Sequence, residues 1–447
     1  MCDTMKAPGG TWLGYPRGVL LLSFTEMWER FSYFGMLAIL VLFLSAETAR
    51  GGFGWNEADA LRLYGLYSGL AFCIPLLGGW IANNYWGERR CILTGGFLIA
   101  GGHACLAVAH AAQAQAHSVF FAGLALIILG TMLLKPTISS IVGQFFEQTD
   151  QRRDNAFALF LVGIYVGEIS GVFITGYLGE RVAWHWGFGA AGIGMALGLL
   201  VYLGGQGRYL ADIGLTPVGG GGALAALRNL SSVEKDRIVV LLTQTFFTML
   251  YSAALFQTGG LLTLFAKDFV DRDRWGWEIP ASWFMTITSI LFIVLTPFAA
   301  RLWTRLGAQG RNPRTSVKLA LGLIAIGIAY AIVAAAKFML DGEAGAKASP
   351  LWLVVMYVFF GISEVLVWAG QLSLASRLAP QNLTALFVGG WYINIGIGTW
   401  LTGYLGALGY TWGIGEVFTS VAIGSLVSGV IVWLFTPRLT RLMHGIE

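Results

Sequence analysis

The sequence predicts an all-α integral membrane protein with twelve transmembrane helices in two six-helix bundles. Its composition is the first reason: of 447 residues, 56% are hydrophobic and 12% are charged, and the mean hydropathy is +0.69. Soluble proteins carry roughly 25% charged residues. The second reason is that twelve apolar segments can be marked along the chain, most of them longer than the roughly 20 residues that span a bilayer. The third is a single sizeable polar loop that divides these segments six and six.

The twelve segments set the predicted domain boundaries. Their approximate bounds are 18–45, 60–84, 91–112, 117–146, 155–179, 184–205, 238–266, 280–304, 315–338, 350–376, 382–406 and 414–436. The first segment is too long and too charged for a cleavable signal, so we expect it to remain as the first helix. The polar loop contains four consecutive glycines, which is typical of a flexible link. We predict an amino-terminal bundle at 1–206, a cytoplasmic linker at 207–236 and a carboxy-terminal bundle at 237–447.

The basic residues indicate how the chain is oriented. If the amino terminus is cytoplasmic, most of the 28 lysines and arginines fall in cytoplasmic loops and helix ends. The positive-inside rule therefore predicts that both termini are cytoplasmic. The net charge of +4 is spread over many short loops, so it is a topology signal and predicts no nucleic-acid partner. Four cysteines and five histidines show no metal-ligand spacing, and we predict no metal and no cofactor.

Charged side chains interrupt the first apolar segment. Glu26, Glu29, Arg30 and Tyr33 fall at i, i+3, i+4 and i+7 and share one face of a helix. Ionised groups inside a bilayer cost at least about 3 kcal/mol each and are rarely kept without a role. The face is therefore expected to meet a polar cavity or partner charges on other helices. The alternative interpretation is a static ion-pair cluster that fixes helix packing.

Three further charges lie within predicted spans: Lys135 in the fourth, Glu168 in the fifth and Glu364 in the tenth. With Glu26, Glu29 and Arg30 they make four carboxylates against two cations, so one or two carboxylates should be protonated in part of a cycle. The candidate proton-coupling residues are Glu26, Glu29, Arg30, Glu364 and Glu168. Other interpretations stay open: a lysine that extends to the interface, a protonated packing role for Glu364, and a pairing of Glu168 with Lys135.

The first-helix pattern resembles a signature of the proton-dependent oligopeptide transporters, a family of the major facilitator superfamily. The family signature Glu-x-x-Glu-Arg-Phe-x-Tyr-Tyr-Gly is matched by Glu26-x-x-Glu29-Arg30-Phe31-x-Tyr33-Phe34-Gly35. Similar matches run along the chain: Gly130-Thr131-x3-Lys135-Pro136, Gly276-Trp277-Glu278-Ile279-Pro280, Glu364 and Gly390-Trp391-Tyr392. The loop from Gly78 to Arg90 resembles a superfamily signature, with Asn83 where an aspartate is usual.

The resemblance implies the major facilitator fold and a symporter that imports di- and tripeptides with protons by alternating access, with substrate bound between the two bundles. It implies that Arg30 and Lys135 face the peptide carboxylate, that Glu364 faces the amino group, and that the first-helix glutamates couple protons. The candidate substrate-binding residues are Arg30, Tyr33, Tyr67, Lys135, Tyr165, Glu364, Trp368 and Trp391. A peptide is a zwitterion with ends a near-constant distance apart, so cations and an anion on opposite sides can bind many peptides by their ends.

Several positions depart from the family pattern. A first-helix arginine and a seventh-helix glutamate, which are thought to pair in the family, are replaced here by Leu37 and Phe256. Replacing both partners of an ion pair with apolar groups can be neutral or stabilising, so we expect this gate to close by apolar packing. The pocket positions also change: Tyr165 replaces an asparagine, Phe34 and Phe72 replace tyrosines, Met285 and Thr288 replace amides, and Trp368 replaces a serine. These changes predict a smaller and more aromatic cavity.

The function predicted from the sequence is a proton-coupled importer of di- and tripeptides, located in the plasma membrane and most simply in a bacterial inner membrane. Its expected partners are small peptides, protons and the lipid bilayer, and we expect a monomer. Two alternatives stay open. One is a related proton-coupled carrier for another small zwitterionic or anionic solute, and the other is a membrane sensor that binds ligand without moving it. We do not expect an enzyme, because no grouping of nucleophile, base and orienting residue is visible.

Overall fold

The computed structural model describes residues 10–12, 14–146, 152–217, 230–342, 345–380 and 383–445. Its contacts divide the chain into two compact units. Unit 1 comprises Met1–Gly54 and Ile74–Gly220, and unit 2 comprises Trp55–Cys73 and Gly221–Glu447. The contacts group residues 55–73 with the second unit. The division into bundles at 1–206 and 237–447 stays a prediction.

Within the described residues, unit 1 contains six α-helices and short connecting turns. They are α1 (Arg17–Ser45), α3 (Pro75–Ile81), α4 (Glu88–Val108), α5 (Ala116–Gln144), α6 (Arg152–Tyr177) and α7 (Trp184–Tyr209). A short antiparallel strand pair, β1 (Thr11–Trp12) and β2 (Tyr15–Pro16), precedes α1. In this unit α1 packs on α6 and α7, and α4 packs on α5.

Unit 2 contains α2, from the amino-terminal half of the chain, and all the helices that follow the polar loop. They are α2 (Glu57–Cys73), α8 (Ser232–Leu255), α9 (Leu261–Phe269), α10 (Thr286–Ala308), α11 (Thr315–Leu340), α12 (Pro350–Leu378), α13 (Thr384–Leu408) and α14 (Ile414–Leu442). The antiparallel strands β3 (Asp273–Arg274) and β4 (Trp277–Glu278) form a small hairpin between α9 and α10. Within the unit α2 packs on α13, and α11 packs on α12 and α14.

The predicted membrane segments are confirmed as helices. Within the described ranges, eleven helical stretches are long and apolar enough to cross a membrane, and they overlap eleven of the twelve predicted segments. The remaining segment, 382–406, coincides with α13, a helix of 25 residues. The twelve-helix, all-α membrane fold is therefore as predicted, while the cytoplasmic location of the termini stays a prediction.

The first helix is the most enclosed of the spans. In the most apolar stretch of α1, 83% of residues are buried, against 28% in the span Ala281–Ala308. Glycines on α6 allow this burial. A Cβ built on Gly167 would lie 2.1 Å from the carbonyl oxygen of Met27, and one on Gly171 would lie 2.3 Å from that of Phe31. Only a residue without a side chain permits such close backbone approach, so α6 lies directly against the segment that carries Glu29 and Arg30.

The seventh membrane span is interrupted between α8 and α9, at Phe256–Gly259. The break frees backbone carbonyls that must be satisfied inside the protein, because the hydrocarbon region offers no water. Side chains from three other helices of unit 2 donate to them: Tyr64 to the carbonyl of Phe256 at 2.8 Å, Tyr330 to that of Ala254 at 2.6 Å, and Thr402 to that of Ala253 at 2.9 Å. The break is therefore a supported part of the fold.

Candidate functional site

The charged face of α1 lies inside unit 1. Glu26, Glu29 and Arg30 are only 4%, 0% and 4% exposed, so none of them faces lipid. The guanidinium of Arg30 lies between the two carboxylates: its Nε is 3.1 Å from Oε1 of Glu26, and its Nη2 contacts Oε2 of Glu29. One arginine therefore forms ion pairs with two buried glutamates of its own helix, a geometry that the planar guanidinium fork suits.

Two other predicted residues extend this cluster. The guanidinium carbon of Arg30 lies 5.4 Å from the ring centre of Tyr33, which is the distance of a cation–π contact. Lys135 lies well inside α5, and its charge is within electrostatic range of Arg30, Glu29 and Glu26. The charge of the lysine is therefore coupled to the α1 cluster, and its role stays a prediction. We refer to Glu26, Glu29, Arg30, Tyr33 and Lys135 as the unit 1 charge cluster.

The fifth predicted span, α6, carries the remaining candidates of unit 1. Tyr165 and Glu168 are both partly buried and lie close to Gly167 in the sequence. A Cβ built on Gly167 would lie 3.1 Å from the Cβ of Arg30. The α6 backbone around Glu168 therefore lies beside the charge cluster. A second carboxylate-bearing helix therefore lies against α1, and the role of Glu168 stays a prediction.

Glu364 lies on α12 in unit 2, among aromatic side chains. It is 8% exposed, and its Oε1 accepts a hydrogen bond from Nε1 of Trp368 at 3.2 Å. The Trp368 ring meets the ring of Trp391 at 5.8 Å and 84°, and the ring of Tyr251 at 6.0 Å and 79°. The hydroxyl of Tyr251 shares a hydrogen bond with that of Ser363 at 3.1 Å. We refer to Glu364, Trp368, Trp391 and Tyr251 as the unit 2 aromatic box.

The other predicted pocket residue of unit 2 is Tyr67 on α2, which is 2% exposed. It belongs to this unit because α2 packs closely on α13. A Cβ on Gly65 would lie 2.6 Å from the Cα of Gly403, and one on Gly69 would lie 2.8 Å from the carbonyl oxygen of Gly396. Paired glycines allow two helices to approach at backbone contact.

The family of the chain follows from a match to a family model. The model of the POT family matches residues 89–213 and 226–412, which is more than half of the chain. This chain belongs to the POT family. The resemblance of its motifs to the proton-dependent oligopeptide transporters is thereby confirmed, and with it the major facilitator fold.

Individual POT family proteins resemble this chain along almost its whole length. A di-/tripeptide transporter of Lactococcus lactis is 30% identical, with 98% of each chain covered. The peptide transporter YePEPT of Yersinia enterocolitica is 29% identical over 100% of this chain and 99% of its own. A solved structure of a peptide transporter POT variant in complex with alafosfalin is 28% identical, covers 98% of both chains and superposes with a TM-score of 0.89.

As a POT family member, the protein is a transporter and not an enzyme. Its many membrane-spanning helices and its bacterial relatives make it an integral protein of a bacterial inner membrane, as predicted. Within the described ranges, no group of three or more histidine, cysteine, aspartate or glutamate side chains could hold a metal ion.

Leu37 and Phe256, which replace the ion pair usual in the family, have apolar surroundings. Leu37 is 1% exposed in the core of unit 1. Phe256, in unit 2, meets the ring of Phe72 at 5.3 Å, and both pack against the buried cluster that includes Trp391. Met285 and Thr288 are each 5% exposed. The substituted positions are thus packed into the interior, while closure of a gate there stays a prediction.

Sequence reasoning missed the hydrogen bond from Trp368 to Glu364 and the part that Tyr251 plays beside it. The spacing of Glu364 and Trp368 is i, i+4, which places them on one face of a helix and could have indicated the bond. Nothing in the sequence indicated Tyr251, because it comes from α8, more than one hundred residues away along the chain.

Proposed function

We propose that this protein is a proton-coupled symporter that imports di- and tripeptides by alternating access. The unit 1 charge cluster supports the proposal most directly: two buried carboxylates share one arginine, and a lysine on another helix lies within range of all three charges. Such an arrangement can exchange one carboxylate for another at the same cation. The substrates of the Lactococcus and Yersinia relatives support peptides as the solute.

The coupling step follows from this competition for cations. When the carboxylate of a peptide binds Arg30 or Lys135, Glu26 or Glu29 loses an ion-pair partner. A buried carboxylate without a cation is strongly disfavoured as an anion, so it takes up a proton. Peptide and proton are then bound together, and Glu364 accepts the amino group of the peptide. The protonated glutamate would release its proton when the peptide leaves and the ion pair re-forms.

Uptake into liposomes tests this function. Dialanine accumulation is measured with and without an inward proton gradient for the wild type and for Glu26→Gln, Glu29→Gln, Lys135→Ala and Glu364→Gln. Glutamine imitates a protonated glutamate without titrating, so the variant of the proton carrier should still exchange bound for free peptide but should not accumulate it. Glu416→Gln, an exposed glutamate at the start of α14, serves as the matched control and should behave as the wild type. Equal accumulation with and without the gradient would refute proton coupling.

A second candidate is a carrier for another small zwitterionic or anionic solute. It is favoured by the positions at which aromatic residues replace the polar ones usual in the family: Phe34, Phe72, Tyr165 and Trp368. Competition between labelled dialanine and unlabelled solutes separates the two functions. A solute that displaces dialanine completely and is accumulated faster than any peptide would favour this candidate.

A further inference from the structure

We propose that the unit 2 aromatic box is a subsite for alkylated amino groups, and that Trp368 determines this specificity. The inference rests on the proposed function, because it names the class of peptide that the same site would accept. The preferred ligands are peptides and peptide-like zwitterions whose amino nitrogen carries methyl or ring carbons. An amino-terminal N-methyl residue and an amino-terminal proline are the simplest examples.

Glu364 already accepts a hydrogen bond from another side chain of the protein. Its Oε1 accepts the indole N–H of Trp368 at 3.2 Å. A primary ammonium group brings three N–H donors, a secondary ammonium brings two, and a trimethylated ammonium brings none. A donor that is buried without an acceptor is costly. The indole N–H occupies one acceptor site of the carboxylate. This disfavours a ligand with three N–H donors more than it disfavours an alkylated ligand with fewer donors.

The second observation is the arrangement of the rings around this carboxylate. Trp368 meets Trp391 at 84° and Tyr251 at 79°, so three aromatic side chains from three helices form walls at nearly right angles. Tyr251 is held in place by the hydrogen bond between its hydroxyl and that of Ser363. Aromatic walls combined with a carboxylate provide the chemistry that recognises methylated ammonium groups, through cation–π attraction and contact with the methyl groups.

The third observation is the apolar packing behind the walls. Trp391 belongs to a buried hydrophobic cluster, and Trp368, Phe72 and Phe256 pack against it. Methyl and ring carbons on the nitrogen are favoured next to such surface, whereas an N–H group gains nothing there. All three observations thus point to an amino group with fewer donors and more carbon.

Uptake of three ligands tests the proposal: dialanine, its N-methyl form and its N-trimethyl form. The wild type should take up N-methyl dialanine at least as well as dialanine. Trp368→Ser removes both the wall and the indole donor, and it should favour dialanine over the N-methyl form by about tenfold, the range of a desolvated cation–π contact. Trp368→Phe keeps a wall and removes only the donor, so it should improve dialanine uptake and retain the N-methyl ligand. Trp412→Phe, at an exposed tryptophan, is the matched control.

The outcomes separate this inference from the proposed function. Strong dialanine uptake, rejection of the N-methyl form and an unchanged ratio in Trp368→Ser would overturn the inference and leave peptide import intact. If no ligand is taken up, peptide import is refuted, and binding to the full-length protein in detergent then decides the inference. Thermal stabilisation by N-trimethyl dialanine that is lost in Trp368→Ser would support an alkylammonium subsite. Absence of stabilisation in the wild type would reject it.

Discussion

The buried carboxylates of the unit 1 charge cluster and of the unit 2 aromatic box contact different kinds of partner. In the cluster, Glu26 and Glu29 form ion pairs with a cation on their own helix, and Lys135 lies within range. In the box, Glu364 accepts a hydrogen bond from a neutral indole and lies among aromatic rings. The difference teaches how two buried carboxylate sites can serve different ends of one ligand: in the proposed mechanism the cluster exchanges one anion for another, and Glu364 accepts the amino group.

Removing Arg30 should produce the largest effect and would test the first half of the comparison. Arg30→Ala leaves two buried carboxylates without their cation, and breaking a buried ion pair from one side costs about 3–5 kcal/mol. We expect a large loss of thermal stability in detergent together with loss of uptake. Arg62→Ala, in an exposed pair with Asp59, should change stability by less than about 1 kcal/mol. Equal melting temperatures of the two variants would contradict the buried pairing.

Removing Lys135 should strongly reduce transport with a smaller cost in stability. Lys135→Ala leaves the arginine and both glutamates paired, so the fold is expected to survive. The variant loses one of the two cations that would bind the peptide carboxylate, and uptake of dialanine should fall by at least about tenfold, since charge-assisted hydrogen bonds contribute about 1.5–3 kcal/mol each. Melting temperature and uptake are measured on the same preparation. Normal uptake by this variant would remove Lys135 from the site.

Neutralising Glu364 should affect substrate affinity more than folding, and this sharpens the comparison. In Glu364→Gln the amide oxygen can still accept the indole N–H of Trp368, so stability should change by less than about 1 kcal/mol. The KM for dialanine should rise about tenfold, because the ammonium group loses a charged acceptor. In Glu29→Gln the partner is a buried guanidinium, and stability should fall further. The reverse order of stability losses would contradict the contrast between the ion pair of Glu29 and the indole hydrogen bond of Glu364.

The hydroxyl of Tyr64 should matter for stability alone, and its effect on transport should be the smallest of the four. Tyr64→Phe removes the donor to the carbonyl of Phe256 at the break in the seventh span. The loss of one hydrogen bond to a buried carbonyl is expected to cost about 1–2 kcal/mol. Tyr404→Phe, at an exposed tyrosine on α13, is the control and should leave the melting temperature unchanged. A stability loss as large as that of Arg30→Ala would contradict this prediction, because Tyr330 and Thr402 also donate to carbonyls at the break.

Much of the fold and half of the site could be predicted from the sequence. The apolar segments predicted the spans because each helix must cross the same hydrocarbon thickness with about 20 residues. The i, i+3, i+4 spacing predicted that Glu26, Glu29 and Arg30 share a face, because helix geometry alone decides which of them are neighbours. The electrostatic proximity of Lys135 was implied by the family resemblance, and no local spacing could have shown it.

The sequence by itself determined the membrane environment, the helices and the charged face of α1, because these depend on local hydrophobicity and on the fixed periodicity of a helix. Only the tertiary structure decided that α2 packs with the second unit, that three distant side chains satisfy the break after Leu255, and that Glu364 lies among Trp368, Trp391 and Tyr251. These features depend on which helices approach one another closely, and that choice is made by glycine contacts and side-chain packing between segments far apart in the chain.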